Sequence, residues 1–142
     1  MKITFIAFKD NPVNFFKELA KELSKKISGL ELASRFVPML EDIPQVALES
    51  SEDSDFIFVF AVSDDDEERK MLDAKLIDVE LKTSVRILKE IVPDEFSDLD
   101  EEKYAIEKDE TTKKYTQIII DILFNETAFE PEDKDFSLQD NY

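Results

Sequence analysis

Four short apolar runs, separated by stretches of helical periodicity, constrain the fold of this chain more than any other feature. The most apolar run, 56–62 (FIFVFAV), has no polar residue, which is typical of a strand buried on both faces of a parallel sheet. Residues 3–8 (ITFIAF) form a similar run, and 30–37 (LELASRFV), although it contains Glu31 and Arg35, is expected to form a second strand that ends before Pro38. A fourth, 86–92 (RILKEIV), is also compatible with a helix, but its β-branched residues and the following Pro93 favour a strand.

Helical patterns fill the intervals between these runs. Asn14 is expected to cap the first helix, and Gly29, the only glycine, stands where the chain is expected to turn into the left-handed conformation after it. Further helices are expected at 44–51, after the acidic run that follows the third strand, and at 101–124. The residues expected to face the core from the first and third helices are Phe15, Phe16, Leu19, Leu23, Ile27, Met71, Leu72, Leu76, Val79 and Leu81.

The alternation of strands and helices predicts an α/β protein with helices on both faces of a parallel sheet, a three-layer α-β-α sandwich. With 142 residues the chain is long enough for one ordinary domain, assigned to 1–124. The remaining segment, 125–142, is acidic with scattered aromatic residues, and is expected to be disordered or to become ordered only on a neighbour.

Composition excludes several classes of function. A net charge of −17 opposes binding to nucleic acid and to anionic membrane surfaces. The absence of cysteine and histidine excludes disulfides, thiolate catalysis and any catalytic set that needs an imidazole. The apolar stretch at the N-terminus is too short for a signal peptide or a membrane span, so a cytoplasmic location is expected.

Motifs for nucleotide and metal binding are also missing. No glycine follows the first strand, where phosphate-binding loops need one. The acidic run 64–68 (DDDEE) lacks the alternating ligands and the glycine of a calcium loop, so no metal and no cofactor are predicted. The simplest interpretation is that these acids are solvated and favour the positive N-terminus of the helix that follows.

The segment 37–48 (VPMLEDIPQVAL) carries a family resemblance. A strand ending in Val-Pro, a short loop and then Asp-hydrophobic-Pro-x-x-Ala resembles the second strand–helix unit of the lumazine synthase family, and especially the archaeal type of riboflavin synthase. The other strands and the final helix follow in the same order over about 1–124. The resemblance implies a flavodoxin-like sheet with strand order 2-1-3-4 and a homopentamer whose sites lie between subunits, at the carboxyl ends of the strands.

The resemblance also implies a set of ligand-binding positions, although it identifies no catalytic residue. Phe8 is expected to stack on a ring, Lys9 to contact a ribityl chain or leaving group, and Ser63 to make a polar contact. Each position also has a purely structural interpretation: the end of a core strand, a solvated lysine and a helix cap, respectively. The complete set is Phe8, Lys9, Asp10, Pro38, Met39, Leu40, Ser63 and Asp64.

This sequence departs from the family pattern at Met39 and in the loop after the third strand, where glycines are usual. The consecutive aspartates there oppose a phosphate-bearing substrate, since two like charges about 4 Å apart cost about 4 kcal/mol at an effective dielectric of 20. This repulsion does not apply to uncharged lumazines. The resemblance therefore implies a binder of a ribityllumazine or flavin-like molecule and, if the protein is active, a transferase of the riboflavin synthase type.

Two alternatives stay open at the level of sequence. One is a catalytically inactive paralogue that serves as a structural or protein-interaction module, since fold alone does not carry function. The other is an unrelated flavodoxin-like protein such as a signalling receiver, which is disfavoured because no acidic pair ends the first strand.

Overall fold

A computed structural model describes residues 1–124, so the predicted acidic segment 125–142 lies outside the described residues. Strands and helices alternate along this part of the chain, with one 3-10 turn at Leu40–Asp42. The elements are β1 (Lys2–Phe8), α1 (Phe16–Lys26), β2 (Glu31–Val37), α2 (Ile43–Ser50), β3 (Phe56–Val62), α3 (Asp66–Thr83), β4 (Arg86–Val92) and α4 (Glu101–Phe124).

The four strands form one all-parallel sheet in the order β2-β1-β3-β4. This arrangement confirms the predicted flavodoxin-like, three-layer α/β fold. The segment 86–92, which was compatible with a helix or a strand, is a strand paired in register with β3, with Phe58 opposite Leu88. None of the described helices is both long and apolar enough to cross a membrane.

Alternate side chains of β3 divide the core into two layers, because successive strand residues point to opposite faces. Phe56, Phe58 and Phe60 pack with α1 and α4 in a layer rich in aromatic rings. On the opposite face, Ile57 and Val59 pack against the helices α2 and α3. All seven residues of β3 are buried, as a continuous apolar run predicts.

Three details differ from the sequence-based expectations. α1 begins at Phe16, and the Asn14 side chain accepts the backbone N–H of Phe16 at 3.1 Å instead of occupying the helix cap itself. In α3 the buried face is formed by Leu72, Leu76 and Val79. Met71 and Leu81 lie off that face and are 57 % and 77 % exposed, so their predicted places in the core were wrong.

Gly29 has φ 69°, which confirms the expected left-handed turn between α1 and β2.

Candidate functional site

A cleft of about 480 Å³ opens at the carboxyl edge of the sheet, where the chain leaves β1 toward one face and β3 toward the other. In open α/β sheets this point of divergence is the usual place for a ligand. Five of its lining residues are apolar: Phe8, Pro38, Met39, Leu40 and Met71. Four carboxylates complete its lining: Glu41, Asp65, Glu67 and Glu68. These nine residues define the switch-point cleft.

Three segments supply the apolar residues of the switch-point cleft: the end of β1, the loop after β2, and α3, which carries Met71. Phe8 ends β1, is only partly buried, and packs against the core layer beneath α2 and α3. Pro38–Leu40 connects β2 to the 3-10 turn that leads into α2. Met39 is 52 % exposed and Met71 57 %, values that leave their side chains open to a ligand.

The acidic run that follows β3 mainly builds the N-terminus of α3. Asp65 caps the helix, its Oδ1 accepting the backbone N–H groups of Glu67 at 3.0 Å and Glu68 at 3.2 Å. Asp66 pairs with Lys70 and Arg69 at 3.1 Å each. The hydrogen bond from Lys70, helped by the charges of both cations, lowers the pKa of Asp66.

Two further acids are held by hydrogen bonds to neighbouring loops. The buried hydroxyl of Ser63 donates to Glu68 at 2.6 Å and accepts the Asp65 N–H at 3.2 Å. Asp64 accepts the backbone N–H of Asp94 at 2.9 Å and so ties the loop after β3 to the loop after β4. Within 1–124, only Glu67 of the acidic run has a carboxylate with neither a hydrogen bond nor an ion pair.

The structure brings four of the eight sequence-predicted ligand positions together in the switch-point cleft: Phe8, Pro38, Met39 and Leu40. The other four lie elsewhere. Lys9 lines a cavity of only about 20 Å³ on the α1 side of the sheet, and Asp10 is exposed in the turn after β1. Ser63 and Asp64 are engaged in the hydrogen bonds described above.

Sequence reasoning missed five of the nine cleft residues: Glu41, Asp65, Glu67, Glu68 and Met71. A signal was present, since Met71 stands one residue before the Leu72, Leu76, Val79 face and therefore points away from it at helical spacing. It also missed the role of Asn11, whose side-chain amide makes two hydrogen bonds with the backbone of β3. The amide nitrogen donates to the Phe60 carbonyl at 3.0 Å, and the amide oxygen accepts the Val62 N–H at 2.9 Å. Those contacts span about fifty residues of sequence, so no local pattern indicates them.

The chemistry of the switch-point cleft follows from its lining. Exposed apolar side chains offer contact area to a flat ring, while the four carboxylates repel anions and attract hydrogen-bond donors or cations. None of its lining residues is basic. Within residues 1–124, no group of three or more acidic side chains is arranged to hold a metal ion.

Comparison of the chain with protein-family models finds no match, and comparison with curated proteins finds none either.

Proposed function

We propose that this protein binds a ribityllumazine or flavin-like molecule in the switch-point cleft, as a relative of the lumazine synthase family. The observation that supports the proposal is the position of four ligand-binding residues implied by the resemblance, Phe8 and Pro38–Leu40, around one cleft at the expected edge of the sheet. The volume of about 480 Å³ is in the range of small-molecule sites.

The ligand is an uncharged ring system with a polyhydroxylated chain. Phe8, Met39 and Met71 supply apolar contact to the rings, and the cleft carboxylates accept hydrogen bonds from hydroxyl groups of the chain. A phosphorylated ligand is disfavoured, because four carboxylates and no basic group line the cleft. A homopentamer, in which a neighbouring subunit completes the site, is part of the same proposal.

The second candidate is a paralogue that retains the fold without catalysis and serves as a structural or interaction module. It is favoured by the way the polar groups near the cleft are used. Ser63, Asp64 and Asp65 all make hydrogen bonds that hold the loops and the start of α3. Glu67 is then the one member of the acidic run without such a role among the described residues.

The test is a fluorescence titration of the full chain with 6,7-dimethyl-8-ribityllumazine, followed over hours for the formation of riboflavin. Saturable binding is expected, and turnover would distinguish the enzyme from the inactive paralogue. Met39→Ala and Met71→Ala are expected to weaken binding about three- to tenfold, by loss of buried apolar area.

Leu81→Ala is the matched control, since Leu81 is 77 % exposed on the same helix as Met71 but does not line the cleft. Equal weakening by Met71→Ala and Leu81→Ala, or the absence of saturable binding, would overturn the proposal.

A further inference from the structure

A second cavity, of about 340 Å³, lies on the other face of the sheet, between α4 and the loop that follows β4. Its inner surface is apolar and aromatic, formed by Phe60, Val92, Pro93, Phe96 and Tyr115. α4, which supplies Tyr115, lines the cavity with four further side chains from the same side of the helix: Glu107, Glu110, Thr111 and Lys114. Glu95 of the loop completes this α4 cavity.

The charged groups of the α4 cavity are unbalanced. Three carboxylates, those of Glu95, Glu107 and Glu110, face one ammonium, that of Lys114. Among the described residues none of the four forms an ion pair, whereas Asp109 of the same helix pairs with Lys113 at 2.9 Å. The carboxylates are therefore available to a cation from outside.

A buried hydroxyl in the cavity lining also lacks a partner. Thr112 and Thr116 donate their hydroxyls to the backbone carbonyls of Lys108 and Thr112, at 2.8 and 2.7 Å. The side chain of Thr111 is on the cavity side, the residue is 9 % exposed, and no described residue forms a hydrogen bond with its hydroxyl. Buried hydroxyls normally have a partner, so this one indicates a ligand group that can donate or accept.

The cavity already accommodates an ammonium group of the chain itself. The Nζ of Lys114 lies over the ring of Tyr115, 5.2 Å from its centroid. The hydroxyl of that ring donates to Glu90 at 2.7 Å. The cavity thus presents an aromatic face to a cation, with further carboxylates around it.

We infer that the α4 cavity binds an organic cation, an alkylammonium whose charged end contacts Glu107 and Glu110 and whose methylene chain lies on Phe60 and Phe96. The inference does not depend on the function proposed for the switch-point cleft, because the two sites lie on opposite faces of the sheet and share no lining residue.

The test is calorimetric titration of the full chain with spermidine at 150 mM NaCl, which suppresses diffuse attraction to a protein of net charge −17. One saturable site is expected. The double variant Glu107→Gln/Glu110→Gln is expected to weaken it at least about tenfold, the effect of losing charge-assisted contacts.

The matched control is Glu52→Gln/Asp73→Asn, which removes the same charge at two exposed positions outside the cavity and is expected to leave binding unchanged. Lys114→Gln is expected to tighten binding about threefold or more, because it removes a competing ammonium. Structural damage would not tighten binding, so this variant distinguishes a change in the charge of the cavity from a loss of structure.

Equal weakening by the cavity variant and the control variant would overturn the inference, since it would indicate diffuse attraction only. Weaker binding by Lys114→Gln, or no saturable binding by the wild-type chain, would also overturn it.

Discussion

The side-chain oxygen of Asn11 accepts the backbone N–H of Val62 at 2.9 Å, joining the turn after β1 to the end of β3. The amide nitrogen of the same side chain donates to the carbonyl of Phe60 at 3.0 Å. On the α1 side of the sheet, Asn11 lines a cavity of only about 20 Å³. The opening at the point of divergence is left on the α2 and α3 side, where the switch-point cleft lies.

Replacing Asn11 should therefore destabilise the fold. Asn11→Ala removes two partly buried hydrogen bonds, one accepted from the Val62 N–H and one donated to the Phe60 carbonyl. We expect a loss of about 1–3 kcal/mol in the free energy of unfolding, measured by urea denaturation. Asn14→Ala, which removes one exposed hydrogen bond, is the control, with an expected loss of less than about 1 kcal/mol. Equal losses in the two variants would show that the hydrogen bonds between Asn11 and β3 contribute no more to stability than one exposed hydrogen bond does.

The carboxylates of the acidic run 64–68 have two possible roles, stabilising the N-terminus of α3 and contacting a ligand in the cleft. Asp65 caps α3 and also lines the cleft. Asp65→Ala should lower the free energy of unfolding by about 1 kcal/mol, since the N–H groups of Glu67 and Glu68 lose their acceptor.

Asp65→Ser keeps a capping oxygen without the charge and should retain most of that stability. Glu67→Gln, which changes a carboxylate that has no described contact, should leave the stability nearly unchanged. A result in which Asp65→Ser loses as much as Asp65→Ala would mean that the charge, and not the cap, is what stabilises the helix.

Much of the fold could be predicted from the sequence, because it depends on local patterns. The bounds of β3 and β4 match the apolar runs 56–62 and 86–92, and all seven residues of β3 are buried. The helices that follow β1 and β3 end or begin within a few residues of the expected positions, since Gly29 and the acidic run are local signals.

The candidate site was only partly predictable, for a physical reason. Phe8 and Met39 were named from the family resemblance, and they share the cleft because the ends of parallel strands meet at one edge of the sheet. Helical spacing places Met71 beside the buried face of α3, but whether that side of the helix reaches the cleft depends on how α3 packs against the loop after β2, which the spacing does not show. The bridge formed by Asn11 depends on which strand lies next to β1, which the local sequence does not specify.

The buried phenol of Tyr115 should make stability sensitive to alkaline pH. Burial, the hydrogen bond to Glu90 and the charges of Glu90 and Glu95 all raise the pKa of Tyr115 far above its usual value of 10.0. The folded state therefore keeps the proton after an unfolded chain has released it. The stabilisation is fully present below about pH 10, and it decreases as the pH rises above that value because the unfolded state ionises.

Tyr115→Phe tests this directly. At pH 7 it should cost about 1 kcal/mol or more, since the hydrogen bond to the partly buried Glu90 is lost. Between pH 10 and 11 the variant should lose less stability than the wild type, measured by urea unfolding at each pH. Tyr104→Phe is the control, because it retains Tyr115 and should keep the steep alkaline loss. If the free energy of unfolding fell equally with pH in wild type and Tyr115→Phe, the alkaline loss of stability would not come from Tyr115.

The charge of the switch-point cleft predicts a preference between two flavins that differ by a phosphate. Four carboxylates line the cleft, and like charges about 4 Å apart repel by about 1 kcal/mol per pair even in water. Riboflavin should therefore bind at least about fivefold more tightly than its 5′-phosphate, as measured by quenching of flavin fluorescence. Glu41→Gln/Glu67→Gln should reduce the ratio of the two dissociation constants, because it removes two of the cleft carboxylates. The control Glu52→Gln/Asp73→Asn removes the same charge away from the cleft and should leave that ratio unchanged. Equal affinities for the two flavins in the wild type would place the ligand outside the reach of these carboxylates.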